Sequence, residues 1–372
     1  MHKLTLYMKK LGYAAKRSCR VSWRWLARFW GRRWWHKLVI VLIALIVACF
    51  GTMYSIAQWY IHSEQHKPLQ MGVSFIPDYA ASLGLDPHQT LTALTGDLQV
   101  RNFRLVSYWS DIETQQGTYN FGELDWEMQQ VAAVHGTVTL SIGLRQPRWP
   151  ECHMPAWAAH EATTAWEGRL NNFISAVVNR YKSSPILISY QLENEYFLQG
   201  FGACTNFDRS RLISEFNLVK RLDPSHPIIL SRGDNFPDWL LGQPQPDIVG
   251  MSVYRRVWDG TFTHRYFNYP TPSWYYAFLA GVQKILTGKE SVIHEMQAEA
   301  WPPNGQSIAD TSLAEQNKTL DAHRLQSEIN FAQATGMRQV YLWGAEYWYY
   351  RMVTLHDPSV WNTAKQTFRS NS

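Results

Sequence analysis

Two short segments of this chain each close a strand-like run with a glutamate. Glu195 stands in the sequence Gln-Leu-Glu-Asn-Glu-Tyr, which follows the run 185–190, and Glu295 closes the run that begins at 291. In a barrel of parallel strands, side chains at the carboxyl ends of the strands meet at one mouth. Two carboxyl groups that meet there can cleave a glycosidic bond, because one protonates the leaving oxygen while the other attacks the sugar carbon. The two segments therefore predict a catalytic pair of carboxyl groups.

The elements that would position these glutamates are strand-like runs that alternate with helical segments. The predicted strands are 72–76, 102–107, 137–142, 186–192, 227–231, 247–253, 291–295 and 339–343. The predicted helices are 89–98, 121–135, 161–181, 209–221, 273–286 and 313–335, with a thin link at 237–241. Short apolar strands separated by helices favour parallel pairing with both faces covered. The pattern predicts an α/β fold, a (β/α)8 TIM barrel; an open doubly wound sheet would need a glycine-rich first turn, which 76–78 lacks.

Other side chains at the predicted strand ends are aromatic or polar. In chain order they are Trp109, Asp111, Arg145, Trp149, Asn194, Tyr254, Trp343 and Glu346. Flat indole rings suit the apolar faces of sugars, so Trp109, Trp149 and Trp343 are expected to contact a substrate. Core packing is an equally good explanation of any single tryptophan.

Three segments resemble glycoside hydrolases of clan A. The segment 100–126, which includes Arg104, is similar to the region around strand 2 and helix 2 of that clan. The segment 191–196 resembles the strand 4 signature of family 35 and 42 β-galactosidases, and 293–295 occupies the place of the strand 7 nucleophile. The likeness runs from about 71 to 348, whereas 296–303 departs from both families.

This resemblance implies a retaining β-glycosidase in which Glu195 is the acid/base and Glu295 the nucleophile. It further implies contacts to the substrate and support for the nucleophile: Asn194 at the sugar 2-hydroxyl, Arg104 and Tyr254 beside Glu295, and Trp343 under the ring. An interior ion pair with Glu193 is the alternative for Arg104.

The four cysteines divide between the two parts of the chain. Cys19 and Cys49 lie in or before a long apolar run, whereas Cys152 and Cys204 lie after it. The latter pair would sit on adjacent loops at one end of the barrel and in an oxidising compartment, so we predict a disulfide. No Cys/His spacing typical of structural zinc is present, and we expect neither a metal nor a cofactor.

The amino-terminal part of the chain is basic and apolar. Residues 1–37 carry eleven Lys and Arg, and the first acidic residue is Glu64, which leaves 24 basic and 30 acidic residues for the remainder. Residues 38–61 have no charged side chain, and about 20 apolar residues span a bilayer core as a helix. The basic flank predicts a single-pass signal anchor with the arm in the cytoplasm. A cleaved signal peptide, or a lipoprotein box ending at Cys49, is the alternative.

The predicted organisation is a basic arm (1–37), a transmembrane anchor (38–61), a polar tether (62–70) and a barrel domain (71–372). The anchor would contact the lipid bilayer of the inner (plasma) membrane, with the barrel on the periplasmic or extracellular side. Basic residues mixed with tryptophan in the arm favour anionic lipid over nucleic acid as a partner. An equally good interpretation is that the basic residues only determine the orientation of the anchor.

Three functions fit these observations. The first is a membrane-anchored retaining β-glycosidase that acts on a β-linked oligo- or polysaccharide. The second is a transglycosidase of the same mechanism. The third is a non-catalytic glycan-binding protein of a polysaccharide assembly system, because fold alone does not establish activity.

Overall fold

The computed structural model of the protein describes residues 34–198, 200–204, 206–232 and 242–370. Cys19 and the rest of the basic arm through residue 33, together with the predicted link at 237–241, lie outside these residues. The chain divides into two compact units at Ala57.

Helix α1, Trp34–Glu64, contains the predicted anchor. Its 31 residues have a mean hydropathy of 2.5 over the most apolar window, so by length and composition the helix can cross a membrane. The helix ends three residues beyond the predicted end of the anchor at 61. Tyr60 and Glu64 are buried, and Glu64 pairs with Lys67 and Lys284 within the second unit.

The second unit is built on a closed barrel of eight parallel strands, as predicted. These strands are β1 (Gln70–Ser74), β2 (Asn102–Leu105), β3 (Thr137–Ile142), β4 (Leu187–Leu192), β5 (Ile228–Arg232), β6 (Ile248–Val253), β9 (Glu290–Gln297) and β10 (Gln339–Trp343). They follow one another in chain order around the barrel, and β10 closes it by pairing with β1. Each predicted strand overlaps an observed one, with ends that agree to within two residues.

The helices surround the strands. After α1 they are α2 (Pro77–Ser82), α3 (Pro87–Gly96), α4 (Trp109–Ile112), α5 (Gly122–Ala133), α6 (Thr163–Tyr181), α7 (Arg209–Leu222), α8 (Ser273–Thr287), α9 (Leu313–Gln316), α10 (Ala322–Ala334), α11 (Ala345–Val353) and α12 (Ser359–Ser370). The prediction of one helix over 313–335 was wrong. Asp321 accepts a hydrogen bond from the Arg324 N–H and starts α10 afresh, as an N-cap does.

A two-stranded hairpin, β7 (Arg256–Asp259) and β8 (Arg265–Asn268), extends from the carboxyl end of β6. The Gln297 side chain at the end of β9 fastens it, accepting from the Arg255 and Arg256 N–H groups at 2.8 and 2.9 Å. This hairpin was not among the predicted strands, although Asp259-Gly260 is a strong hairpin signal.

Candidate active site

Glu195 follows β4 in a backbone conformation that non-glycine residues rarely adopt. Its φ is 44°, and Glu193 has a φ of 52°. The Glu195 N–H donates to the Ser231 hydroxyl at 2.7 Å, and the Ser252 hydroxyl donates to its carboxyl group. These bonds from β5 and β6 hold a strained turn, which is the arrangement expected where a side chain must be aimed precisely.

Glu295 lies on β9 and is only 3% exposed. Arg104 donates to one of its carboxylate oxygens at 2.9 Å, and the Tyr254 hydroxyl donates to the other at 2.7 Å. Both oxygens are therefore fixed by strong donors, one of them cationic.

Arg104, on β2, is fully buried and connects several strands. Besides Glu295, it donates to Gln191 at 2.5 Å and to Asn194 at 3.0 Å. Glu295 and Glu193 were the two partners expected for Arg104, and Glu295 is the one that pairs with it. Glu193 instead pairs with Arg211 at 3.0 Å.

Glu195 and Glu295 approach each other at the mouth of the barrel. One carboxylate oxygen of each lies within 4.8 Å of the other and of a His294 ring nitrogen. Retaining glycosidases hold their two carboxyl groups about 5–5.5 Å apart. By spacing alone these three residues could also ligate a metal ion, but Arg104 already supplies a positive charge to Glu295.

The environments of the two glutamates differ. Burial, followed by the negative charges of Glu295 and Glu151, raises the pKa of Glu195 well above its ordinary value. Burial and the neighbouring Arg104 lower the pKa of His294, which keeps this imidazole neutral. One carboxyl group thus favours the protonated form while the other faces a guanidinium, which is the division that acid and nucleophile require.

A third carboxyl group, that of Glu151, lies near enough to interact electrostatically with both glutamates. The Asn194 amide donates to it at 3.1 Å, while the Asn194 carbonyl oxygen accepts from Arg104. Burial and the charge of Glu295 raise the pKa of Glu151 to about 7. Glu151 was not predicted as a site residue because it lies in a loop rather than at a strand end, although its neighbour Cys152 was expected at this end of the barrel.

A disulfide joins Cys152 to Cys204, as predicted. It links the loop after β3 to the loop after β4, and the Ala203 N–H also donates to the Pro150 carbonyl at 2.9 Å. The loops that carry Glu151 and Glu195 are therefore cross-linked.

Beside Glu151, the Arg145 guanidinium is buried and lies 3.8 Å from its carboxylate. None of the three guanidinium nitrogens has a hydrogen-bond partner among the described residues. Arg145 therefore acts on the neighbouring carboxyl groups through its charge, and it lowers the pKa of Glu195 and of Glu151 against the larger effect of burial.

Trp343 ends β10 beside the site, and a cation covers its ring. The Arg148 guanidinium lies 4.3 Å from the ring centre, and the indole N–H donates to Glu299 at 2.9 Å. Glu299 also pairs with Arg148 at 2.8 Å. One face of the Trp343 ring is therefore occupied by Arg148.

The structure does not bring the other two tryptophans into the same group. Trp149 is 65% exposed on the loop after β3, with Phe201 at 6.4 Å between ring centres. Trp109 is fully buried in the core, because α4 begins directly at this residue and turns the indole towards Trp157 and Phe173.

The comparison with family models finds no match, and the comparison with curated proteins finds none either. Solved structures do match. Gan42B, a GH42 β-galactosidase from G. stearothermophilus, aligns with a TM-score of 0.53 and 13% identity over 82% of this chain and 57% of its own. A polyextremophilic β-galactosidase from the haloarchaeon Halorubrum lacusprofundi aligns with a TM-score of 0.52 and 13% identity, over 81% and 58%.

A GH10 endo-β-1,4-xylanase from Gloeophyllum trabeum aligns with a TM-score of 0.52 and 17% identity, over 75% of this chain and 85% of the xylanase. This chain covers less than two thirds of either β-galactosidase. At these identities the likeness is one of fold. The protein has the parallel barrel of these glycoside hydrolases.

Proposed function

We propose that the protein is a membrane-anchored retaining β-glycosidase that hydrolyses β-linked oligo- or polysaccharides. The observation that supports this most strongly is the pair Glu195 and Glu295, whose carboxylate oxygens lie within 4.8 Å in contrasting environments. The structurally similar enzymes described above, two β-galactosidases and a β-1,4-xylanase, act on β-linked sugars.

In the first step Glu295 attacks the anomeric carbon, and the bond from that carbon to the leaving oxygen breaks. Glu195 gives its proton to the leaving oxygen, so the departing alcohol is neutral and Glu195 becomes a carboxylate. Arg104 and Tyr254 keep the Glu295 carboxylate oriented for attack. The product is a glycosyl ester of Glu295.

In the second step the Glu195 carboxylate takes a proton from water, whose oxygen attacks the anomeric carbon. The ester bond to Glu295 breaks, and both carboxyl groups return to their starting forms. A sugar hydroxyl in place of water gives transglycosylation through the same sequence. Asn194, held by Arg104 and Gln191, is proposed to bind the sugar 2-hydroxyl with its amide.

We place the barrel on the periplasmic or extracellular side of the inner membrane. A helix long and apolar enough to span a bilayer supports an anchor, and the basic arm before it favours the cytoplasm for the amino terminus. Labelling of single engineered cysteines in the arm and in the barrel with a membrane-impermeant reagent tests this orientation. Labelling of the arm in intact cells would contradict this orientation.

The activity is tested with the full chain in detergent against aryl β-glycosides of glucose, galactose, mannose and xylose. We expect turnover by the unmodified protein and a loss of at least about 1,000-fold in Glu295→Ala. Glu195→Ala should retain attack on substrates with an activated leaving group, since these need no proton.

Added azide separates the two roles. In Glu195→Ala, azide should restore turnover and give a β-glycosyl azide, because it attacks the glycosyl ester in place of water. In Glu295→Ala it should give the α-glycosyl azide, because it replaces the nucleophile itself. Undiminished activity in Glu295→Ala would contradict the mechanism. An α-glycosyl azide from Glu195→Ala and a β-glycosyl azide from Glu295→Ala would mean that Glu195 is the nucleophile and Glu295 the acid/base.

A further inference from the structure

A cavity of about 540 Å³ lies on the carboxyl rim of the barrel, separate from the two glutamates. One wall is the β7–β8 hairpin, and the other is the segment 303–318 after β9. The lining includes aromatic and charged side chains: Trp258, Arg265, Tyr266, Asp310, Glu315 and Lys318. Its volume is within the range of pockets that bind small ligands.

The structure fixes this cavity relative to the candidate active site. Gln297, which fastens the hairpin, is two residues from Glu295 on the same strand. The Trp301 ring lies 5.5 Å from the ring of Tyr254, the tyrosine that donates to Glu295. The chain then continues from Trp301 directly into the segment 303–318. The segment that carries Glu295 and Trp301 therefore continues along the chain into one wall of the cavity.

The cavity wall is a rigid aromatic one. Trp258 and Tyr266 pack edge to face at 5.1 Å between ring centres. The Tyr266 hydroxyl donates to Glu315 at 2.6 Å, and Lys318 pairs with the same carboxylate at 2.5 Å. These bonds restrain Tyr266, against which the Trp258 ring packs.

The cavity lining combines aromatic rings with exposed charged groups. Trp258 contributes its ring rather than its indole N–H, which is buried and has no hydrogen-bond partner among the described residues. Aromatic faces combined with charged groups suit a sugar ring, which has apolar faces and a rim of hydroxyls.

We propose that this cavity is a distal sugar-binding site, which holds a remote sugar unit of a β-linked chain while Glu195 and Glu295 act on another linkage. The inference rests on the proposed function, which it extends from β-glycosides in general to oligomers of several sugar units. Short aryl glycosides would reach the glutamates without reaching Trp258.

Binding is measured apart from catalysis, with the full chain carrying Glu295→Gln. The probes are β-1,4-linked tetrasaccharides and disaccharides of glucose, galactose, mannose and xylose, titrated by calorimetry. We expect at least one tetrasaccharide to bind more tightly than its disaccharide. Adding Trp258→Ala should weaken that binding by about tenfold, while the disaccharide changes less.

Two further variants refine the test. Trp258→Phe keeps an aromatic ring of smaller area, so its affinity for the tetrasaccharide should lie between those of Trp258→Ala and the parent. Arg265→Ala alters an exposed lining residue outside the core, so weaker tetrasaccharide binding in this variant is readable even if Trp258→Ala unfolds. Phe262→Ala, at the exposed tip of the same hairpin and outside the lining, is the matched control.

The outcomes separate this inference from the proposed function. Equal tetrasaccharide affinity in the parent, Trp258→Ala and Arg265→Ala would overturn the distal site, as would failure of every tetrasaccharide to bind more tightly than its disaccharide. Hydrolysis of aryl glycosides by the unmodified protein would stand in either case. Loss of tetrasaccharide affinity in a protein that cleaves no glycoside would support the distal site and reject the glycosidase.

Discussion

At the scale of single residues, the site depends on the hydrogen bonds that one arginine, Arg104, donates to several partners. Arg104 donates to Glu295, the proposed nucleophile, and also to Asn194, whose amide donates to Glu151. Because the guanidinium is fully buried, it exchanges hydration for these carboxylate and amide partners. Loss of the arginine would leave a buried carboxylate unpaired and release the amide.

Arg104→Ala is therefore expected to reduce kcat/KM on an aryl β-glycoside by about 100-fold or more, mainly through kcat. The measurement is steady-state kinetics, with thermal unfolding to verify that the protein is folded. Arg180→Ala, which removes the exposed Arg180–Asp125 pair, is the control and should change little. A loss of less than about threefold in Arg104→Ala would show that Glu295 does not depend on this partner.

The charge of Glu151 is expected to affect the pKa of Glu195, the proposed proton donor. The negative charge of Glu151 raises the pKa of Glu195, which must be protonated to act as the acid. Removing that charge in Glu151→Gln should lower the pKa of Glu195, so activity is lost at a lower pH. The test is the pH profile of kcat/KM, whose alkaline limb should move to lower pH.

The control for this profile is Glu123→Gln, since that exposed carboxylate pairs with His88 away from the site. Its alkaline limb should coincide with that of the unmodified protein. An unmoved or upward-moved limb in Glu151→Gln would mean that Glu151 does not act on Glu195 through its charge.

At the scale of elements, the loops after β3 and β4 behave as one unit. The Cys152–Cys204 bond closes a stretch with a sequence separation of 52 and stands next to Glu151. Gly202 lies so close to Glu151 that a side chain at that position would collide with it. The position of the third carboxyl group thus depends on both loops.

Replacing both cysteines by serine is expected to destabilise the barrel unit by about 2–4 kcal/mol and to lower kcat/KM. The measurements are thermal unfolding and kinetics of the full chain. Cys49→Ser, which alters the free cysteine of α1, should change neither quantity. If the double variant matched the unmodified protein in both, the cross-link would have no part in positioning the loops.

At the scale of the whole molecule, several carboxyl groups are buried where folding favours their protonated form. Burial, which is the main cause, raises the pKa of Glu151, Glu328 and Glu346 from 4.5 to about 7 in each case. Between these two values the folded chain binds more protons than the unfolded chain. Their stabilising contribution is complete below pH 4.5 and is lost as the pH rises towards 7.

The barrel unit should therefore unfold at a lower temperature at about pH 8 than at about pH 5.5, with each group contributing up to about 1.4 kcal/mol for each unit of its pKa shift. Glu346→Gln keeps an acceptor for the Ile76 N–H and removes one ionisation, so its melting temperature should depend less on pH. Scanning calorimetry at a series of pH values measures both effects. A melting temperature that rises from pH 5.5 to 8 would contradict this expectation.

Local patterns in the chain were enough to locate most of the elements. The eight strands were predictable because buried parallel strands are continuously apolar and end at polar residues. The long apolar helix was predictable because residues 38–61 lack any charge. The break between α9 and α10 was not anticipated, because both halves have helical periodicity and only the cap at Asp321 separates them.

The amino-acid sequence was sufficient to predict the barrel, a long apolar helix, the disulfide, and two glutamates near the carboxyl ends of β4 and β9. Each of these follows from composition or spacing along a short segment, or from a motif within one strand. The tertiary structure alone decided that Glu151 joins Glu195 and Glu295, that Arg148 covers Trp343, and that a hairpin walls a cavity on the rim. These are contacts between loops distant in the chain, and loop conformation is set by the packing and hydrogen bonds of the folded molecule rather than by a local repeat.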